Sequence, residues 1–252
     1  MKKRHYLLTA IISYFVLLIA TIPAKPVTNL INDNSPLTIQ GVSGTLWRGS
    51  AYTIAINNLQ LERTQWSFNL WQLFTGKIAV DINTHFLNNK ISAELGSSFT
   101  GRYFVNELSA KIAAHEVAQL ASIPLAQLDG MISINIKHAE WKQGELPLAD
   151  GEIKWNNASV TVADTAALGN ISIVLSESDQ QSLRATIKNQ GGDIKISGTA
   201  ALVPEKNYTA DIKLSPTATA NNNIRRSLGL FAQKQPNGEY LLRKSGSLDQ
   251  IM

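Results

Sequence analysis

Asp129-Gly130-Met131-Ile132-Ser133-Ile134-Asn135-Ile136-Lys137 decides how the chain is read. A turn dipeptide is followed by Ile132, Ile134 and Ile136 in strict alternation with Ser133, Asn135 and Lys137. Successive side chains of a strand point to opposite faces, so period two with β-branched residues on one side predicts a half-buried strand. The pattern spreads in both directions. Upstream, Leu37, Ile39 and Val42 lead into a glycine-flanked segment, and Tyr52, Ile54 and Ile56 then alternate. Leu59, Leu61 and Arg63 resume beyond a turn at Asn57-Asn58, and Ile78, Val80 and Ile82 do so after Gly76. Asn88-Asn89 separates residues 82–87 from 91–95, and 103–112 read as another strand. Downstream, Gly151 leads into Ile153, Trp155, Val160 and Val162. Ile171, Ile173 and Leu175 pair with Leu183, Ala185 and Ile187 across a polar turn. Ile194 and Ile196 follow Gly191-Gly192, then 198–203, and Tyr208, Ala210, Ile212 and Leu214 alternate again. Asn237-Gly238 is a hairpin turn before Tyr240-Leu241-Leu242.

Glycine followed by alternation recurs at Gly44, Gly130, Gly151 and Gly198, but at irregular spacing, which gives no ground for a solenoid or propeller. Regular short strands joined by polar turns predict an antiparallel meander, a large curved or rolled sheet with one apolar face. Helices are few. Residues 115–120 read as one, with Val117 and Leu120 on one side and Pro124 beyond it; residues 224–230 read as another, capped at Asn222-Asn223.

The amino terminus obeys a different period. Lys2, Lys3 and Arg4 head an uncharged run over 6–24 whose apolar residues are Tyr6, Leu7, Leu8, Ile11, Ile12, Phe15, Val16, Leu17, Leu18 and Ile19. About 20 helical residues cross roughly 30 Å of hydrocarbon, so the run reads as a transmembrane anchor stopped by Pro23 and Pro26. A cleaved signal peptide is the alternative, with Ile22-Pro23-Ala24 as its site, although the run exceeds an ordinary signal core. Cations preceding the span keep the terminus in the cytoplasm, so both readings send the rest of the chain across the membrane. The expected organisation is a basic head and anchor over 1–25, a connector over 26–36, and a periplasmic β domain over 37–252.

Charge and composition narrow the functions. The net charge of +4 falls to +1 once the three head cations are removed, leaving 20 basic against 19 acidic residues. That balance implies no nucleic-acid partner. The chain has no cysteine, so an exported domain relies on packing. His5, His85, His115 and His138 lack metal-ligand spacing. Gly41-Val42-Ser43-Gly44 lacks the second glycine of a nucleophile elbow, and Gly76-Lys77 lacks the rest of a phosphate loop. No catalytic residue, metal or cofactor is expected, and the chain reads as a non-enzyme. Trp47 is expected in the core, with an interface anchor as the other reading. Trp66 and Trp71 are expected to pack within the sheet, against the alternative of a membrane-surface aromatic belt.

Gly44-Thr45-Leu46-Trp47-Arg48-Gly49-Ser50-Ala51, soon after an amino-terminal span, resembles the opening signature of the type II secretion system protein N family. Leu61, Trp66, Leu73 and Gly76 are similar to that family too. So are Leu128-Asp129-Gly130, the set Leu148, Gly151, Trp155 and Ala158, and Gly238-Glu239-Tyr240-Leu241-Leu242. The resemblance implies a single-pass inner-membrane protein with a periplasmic domain. It further implies an accessory role, by contact with other inner-membrane secretion components, in export of folded proteins. It brings no catalytic residues; Gly44, Thr45, Leu46, Trp47 and Gly49 stand as a structural motif. A second likeness, to AsmA-like periplasmic proteins, implies lipid binding or transfer in an apolar groove. The bilayer is a partner under either.

Overall fold

A computed structural model describes residues 2–57, 59–87, 89–120, 127–162, 164–177, 182–203 and 207–247. The expected turn residues Asn58 and Asn88, and Pro124, lie outside the described residues. The fold is mainly antiparallel β, as the alternation requires. The chain divides into two compact units, residues 1–96 and 97–252.

The first unit opens with helix α1 (Lys2–Ala20), then α2 (Ala24–Asn34). Pro23 separates them as the N-cap of α2, whereas Pro26 sits in the first turn of α2, where its missing N–H costs nothing. The segment read as a connector is therefore largely helical. Among the described residues no helix is long and apolar enough to cross a membrane. Strands β1 (Leu37–Gln40), β2 (Ser43–Gly44), β3 (Arg48–Ile56), β4 (Leu59–Phe68), β5 (Lys77–Phe86) and β6 (Asn89–Ser98) follow. The order is β1-β3-β4-β5-β6, with β2 also on β3. A register shift between Glu62 and Gln65 brackets Arg63, whose φ of 50° marks a bulge that bends β4. Ala51, Ala79 and Phe86 are buried, and the Thr64 and Thr84 hydroxyls satisfy each other at 2.7 Å.

The second unit runs β7 (Arg102–Ala113), α3 (Ala114–Leu120), β8 (Gln127–Lys142), β9 (Leu148–Thr161) and β10 (Thr165–Glu177). It continues through β11 (Leu183–Gln190), β12 (Ile194–Val203), β13 (Asn207–Pro216), α4 (Asn222–Phe231), β14 (Gln233–Lys234) and β15 (Tyr240–Ser247). Strands β7 to β13 pair in chain order, then β15, with β14 last. Both helices fall where the sequence places them. Asn221 caps α4, its side chain accepting from the Ile224 N–H at 2.8 Å. Ile224 and Leu228 pack with Ile194, Ala220, Ala232 and Tyr240 into a buried cluster, and the Tyr240 hydroxyl donates to the Arg225 carbonyl at 3.0 Å.

Candidate functional site

The Gly44–Ala51 segment is a clasp. Gly44 (φ 88°) ends β2, and a tight loop over Thr45, Leu46 and Trp47 returns into β3. The Thr45 N–H donates to the Arg48 carbonyl at 2.9 Å, and the Arg48 N–H donates to Thr45 Oγ1 at 3.1 Å. Glycine is forced twice. A Cβ on Gly44 would lie 2.6 Å from the Arg48 carbonyl oxygen, and one on Gly49 would lie 2.5 Å from the Trp66 ring. The Trp66 indole N–H donates to the Leu46 carbonyl at 3.0 Å, which fixes the loop over the sheet.

The loop grips the end of α1. A helix leaves its last four carbonyls without intrahelical donors. Here the Trp47 indole N–H donates to the Ile19 carbonyl at 2.7 Å, and Thr21 supplies both its N–H and hydroxyl to Leu17. The Leu46 N–H donates to the Ile22 carbonyl at 2.9 Å, and Pro23 bridges Thr45. Trp47 also meets Phe68 edge-to-face, ring centroids 5.8 Å apart, and its carbonyl accepts from the Phe68 N–H. Trp47 is half-buried, not a core side chain, because its polar edge is needed at the helix end. The motif thus holds the amino-terminal helix to the sheet. The sequence signal for this was a tryptophan between two glycines, but its partners at 19, 22 and 23 could not be read.

Beyond the clasp lies an open groove of about 430 Å³, lined by Ser43, Arg48, Gln65, Trp66 and Asp81 among others. Its lining is mixed polar, and the Ser43 hydroxyl pairs with the Ser50 hydroxyl at 2.8 Å. The expected anchor residues from Tyr6 to Ile19 are all exposed along α1. Trp71 does not pack within the sheet as expected but is 80% exposed on the loop after β4, whereas Trp66 is half-buried.

Two sheet edges differ. The outer edge of β1 is closed: Asn32 Nδ2 donates to the Ile39 carbonyl at 3.0 Å, and the Ile39 N–H donates to Asn32 Oδ1 at 2.8 Å. A side-chain amide here imitates a neighbouring strand. Beyond β13, β15 pairs on its other side with β14 at Tyr240 and Leu241 alone. Among the described residues, 242–246 of β15 have no strand along that side.

Charged groups outside these features serve the sheet surface. Arg102 bonds Glu140 at 2.7 Å and Glu145 at 2.8 Å, and Lys142 reaches Glu145 at 3.0 Å. The Lys142 hydrogen bond, with Arg102 adding, holds Glu145 below the usual carboxylate range. Lys154 and Ser172 do the same for Glu152, and Asn237 and Ser215 for Glu239. His138 Nδ1 lies 2.6 Å from Asn106 Oδ1, and His115 lies on α3. Among the described residues no group of three or more acidic or histidine side chains is placed to hold a metal ion. The geometry offers a clasp, an exposed aromatic loop and an open edge.

A family model described as "Type II secretion system (T2SS), protein N" matches residues 35–243. A type II secretion system protein N from Vibrio cholerae serotype O1 is 24% identical over 221 residues, covering 84% of this chain and 85% of that protein. One from Aeromonas hydrophila is 24% identical over 258 residues, covering 98% of this chain and all of that protein. No solved structure matches.

Proposed function

Because the chain belongs to the type II secretion system protein N family, we propose that it is a secretion accessory anchored in the inner membrane by α1, acting by protein contact and not by catalysis. The observation that carries this reading is the family match over 35–243, which takes in nearly the whole β region. In this reading residues 1–25 form the basic head and anchor, 26–36 the connector and 37–252 the periplasmic domain. The exposed apolar surface of α1 supports the anchor. Its apolar part, Tyr6 to Ala20, is about 22 Å long at 1.5 Å per residue. A short span is accommodated by local thinning of the bilayer and by flanking basic side chains that reach the headgroups.

Contact is supported by the open side of β15, since an unpaired edge recruits an extended segment by adding a strand. The partners this implies are other components of the secretion apparatus. The AsmA-like alternative draws no support from the family match or the relatives. Export of folded substrates is measured in a strain lacking the chain, and protease is added to spheroplasts of the complemented strain. The proposal expects export to fall and to return with the full chain, and residues beyond 27 to be digested. Unchanged export, or full protection from the protease, would contradict it.

A further inference from the structure

The first unit carries one surface that the clasp and the open edge leave unexplained. It is the loop between β4 and β5, a 3-10 helix over Leu70–Thr75. In such a helix residues i and i+3 eclipse, so this one has three faces. Gln72 and Thr75 form the polar face, Leu70 and Leu73 the second, Trp71 and Phe74 the third. A surface helix ordinarily turns its apolar face inward. This one is inverted. Gln72 Nε2 donates to Glu94 Oε2 at 2.7 Å, so the polar face is the one fastened to the sheet. Trp71 and Phe74 stand 80% and 85% exposed, ring centroids 5.8 Å apart, with Leu70, Leu73 and Ile78 exposed beside them.

The loop is built, not loose. The Asn69 N–H donates to the Ala79 carbonyl at 2.9 Å, and Gly76, in the left-handed region, closes the helix by donating to Leu73. Its place in the fold is also defined. Strands β3 and β4 are antiparallel, with Arg48 opposite Ser67, so the start of β3 and the end of β4 share one end of the sheet. That end is the one the clasp ties to α1: Trp47 bonds Ile19 and touches Phe68. Three residue steps, at most about 11 Å, separate Phe68 from Trp71. Between Glu62 and Asp81 the sequence has no carboxylate, and the loop ends on Lys77.

We propose that Trp71 and Phe74, with Leu70 and Leu73, form an interfacial wedge that enters the lipid surface beside the exit of α1. This rests on the reading of α1 as a membrane anchor. The occupant is a bilayer because the patch is apolar and lies within three residue steps of Phe68, which touches the Trp47 that bonds the carboxyl end of the exposed, apolar α1. Tryptophan, with one polar edge, favours the headgroup level, phenylalanine and leucine add apolar area, and lysine suits an anionic surface. With α1 and the wedge both seated, the first unit has two points of attachment, which fix its orientation on the membrane where one helix would let it swing.

The absence of cysteine allows a direct test. Single spin labels are placed at Trp71→Cys, Phe74→Cys, Phe15→Cys and Gln60→Cys in the full chain, reconstituted in vesicles of phosphatidylethanolamine and phosphatidylglycerol. Collision with oxygen and with a water-soluble nickel chelate is then measured. The proposal expects positions 71 and 74 to lose several-fold nickel collision relative to 60 and to gain oxygen collision, at a shallower depth than position 15. Lipid-like values at 15 with water-like values at 71 and 74 overturn the wedge and leave the anchor standing. Water-like values at 15 overturn the anchor, and the wedge with it. Low collision with both reagents at 71 and 74 means that a second protein copy covers the patch, and also overturns the proposal. Trp71→Phe is compared for fluorescence quenching by lipid brominated near the headgroup: the quenched component should shrink, leaving the part from Trp47 at the end of α1, and an undiminished quenched component overturns the wedge.

Discussion

Trp47 holds the amino-terminal helix to the sheet, and the strength of that hold can be worked from its contacts. Trp47→Phe keeps a ring against Phe68 and deletes only the indole N–H that bonds the Ile19 carbonyl. A net hydrogen bond is worth about 1 kcal/mol, so the clasp should open about five-fold more often. Trp47→Ala deletes the ring too. Complete burial of a large aromatic ring makes its truncation cost about 3–5 kcal/mol, and half-burial brings this to about 2 kcal/mol. With the lost hydrogen bond the total is about 3 kcal/mol, or roughly a hundred-fold in the opening equilibrium. The assay is hydrogen exchange of the full chain in detergent micelles, read at the Thr45 and Leu46 amides, which donate to Arg48 and Ile22. Both variants should accelerate exchange there in the ratio given. Exchange unchanged within two-fold in Trp47→Ala would refute the clasp.

Three further outcomes are expected. Gly49→Ala places a methyl against the Trp66 ring and the Ser43 carbonyl, so it should lower stability by about 1–3 kcal/mol in urea unfolding followed by tryptophan fluorescence. Asn32→Ala removes both bonds that close the edge of β1; it should cost about 1–3 kcal/mol and produce concentration-dependent self-association in analytical ultracentrifugation. Glu239 is depressed in the folded chain by Asn237 and then Ser215, so its contribution is present above the ordinary carboxylate value and is lost as pH falls through the lower folded value. Asn237→Ala should move the Glu239 carboxyl titration upward in NMR spectra, and an unmoved titration would remove Asn237 as the cause.

Much of the fold was legible because alternation is a backbone constraint. The strands holding Ile171, Ile173, Leu175 and Leu183, Ala185, Ile187 do pair across the polar turn, with Ile173 opposite Ile187 and Leu175 opposite Ala185, while Ile171 faces Asn189. The alternating segments at 194–203 and 208–214 likewise pair, with Ile196 opposite Leu214 and Gly198 opposite Ile212. Helix α4 was legible from the asparagines ahead of it, though its cap is Asn221, one residue earlier than the Asn222-Asn223 pair. The clasp was not legible. The motif itself was plain, but a bond from Trp47 to Ile19 joins residues 28 apart, and no local pattern encodes it. Trp71 misled for a related reason. Density of aromatic residues between 66 and 74 suggests a core, whereas the i, i+3 spacing of Leu70 with Leu73 and Trp71 with Phe74 marks a short helix with two apolar faces. Which face turns outward depends on Gln72 finding Glu94.

Contact with the secretion apparatus can be read by photo-crosslinking in place. A benzophenone amino acid replaces Lys244, exposed in β15 on the stretch that has no strand along its outer side among the described residues, in the full chain within its native membranes. The same replacement at Gln60, on the central strand β4, serves as reference. After illumination the captured chains are identified by mass spectrometry. Position 244, and not position 60, should capture a component of the type II secretion apparatus. Capture of lipid alone at Lys244, with no protein adduct above the Gln60 reference, would contradict it.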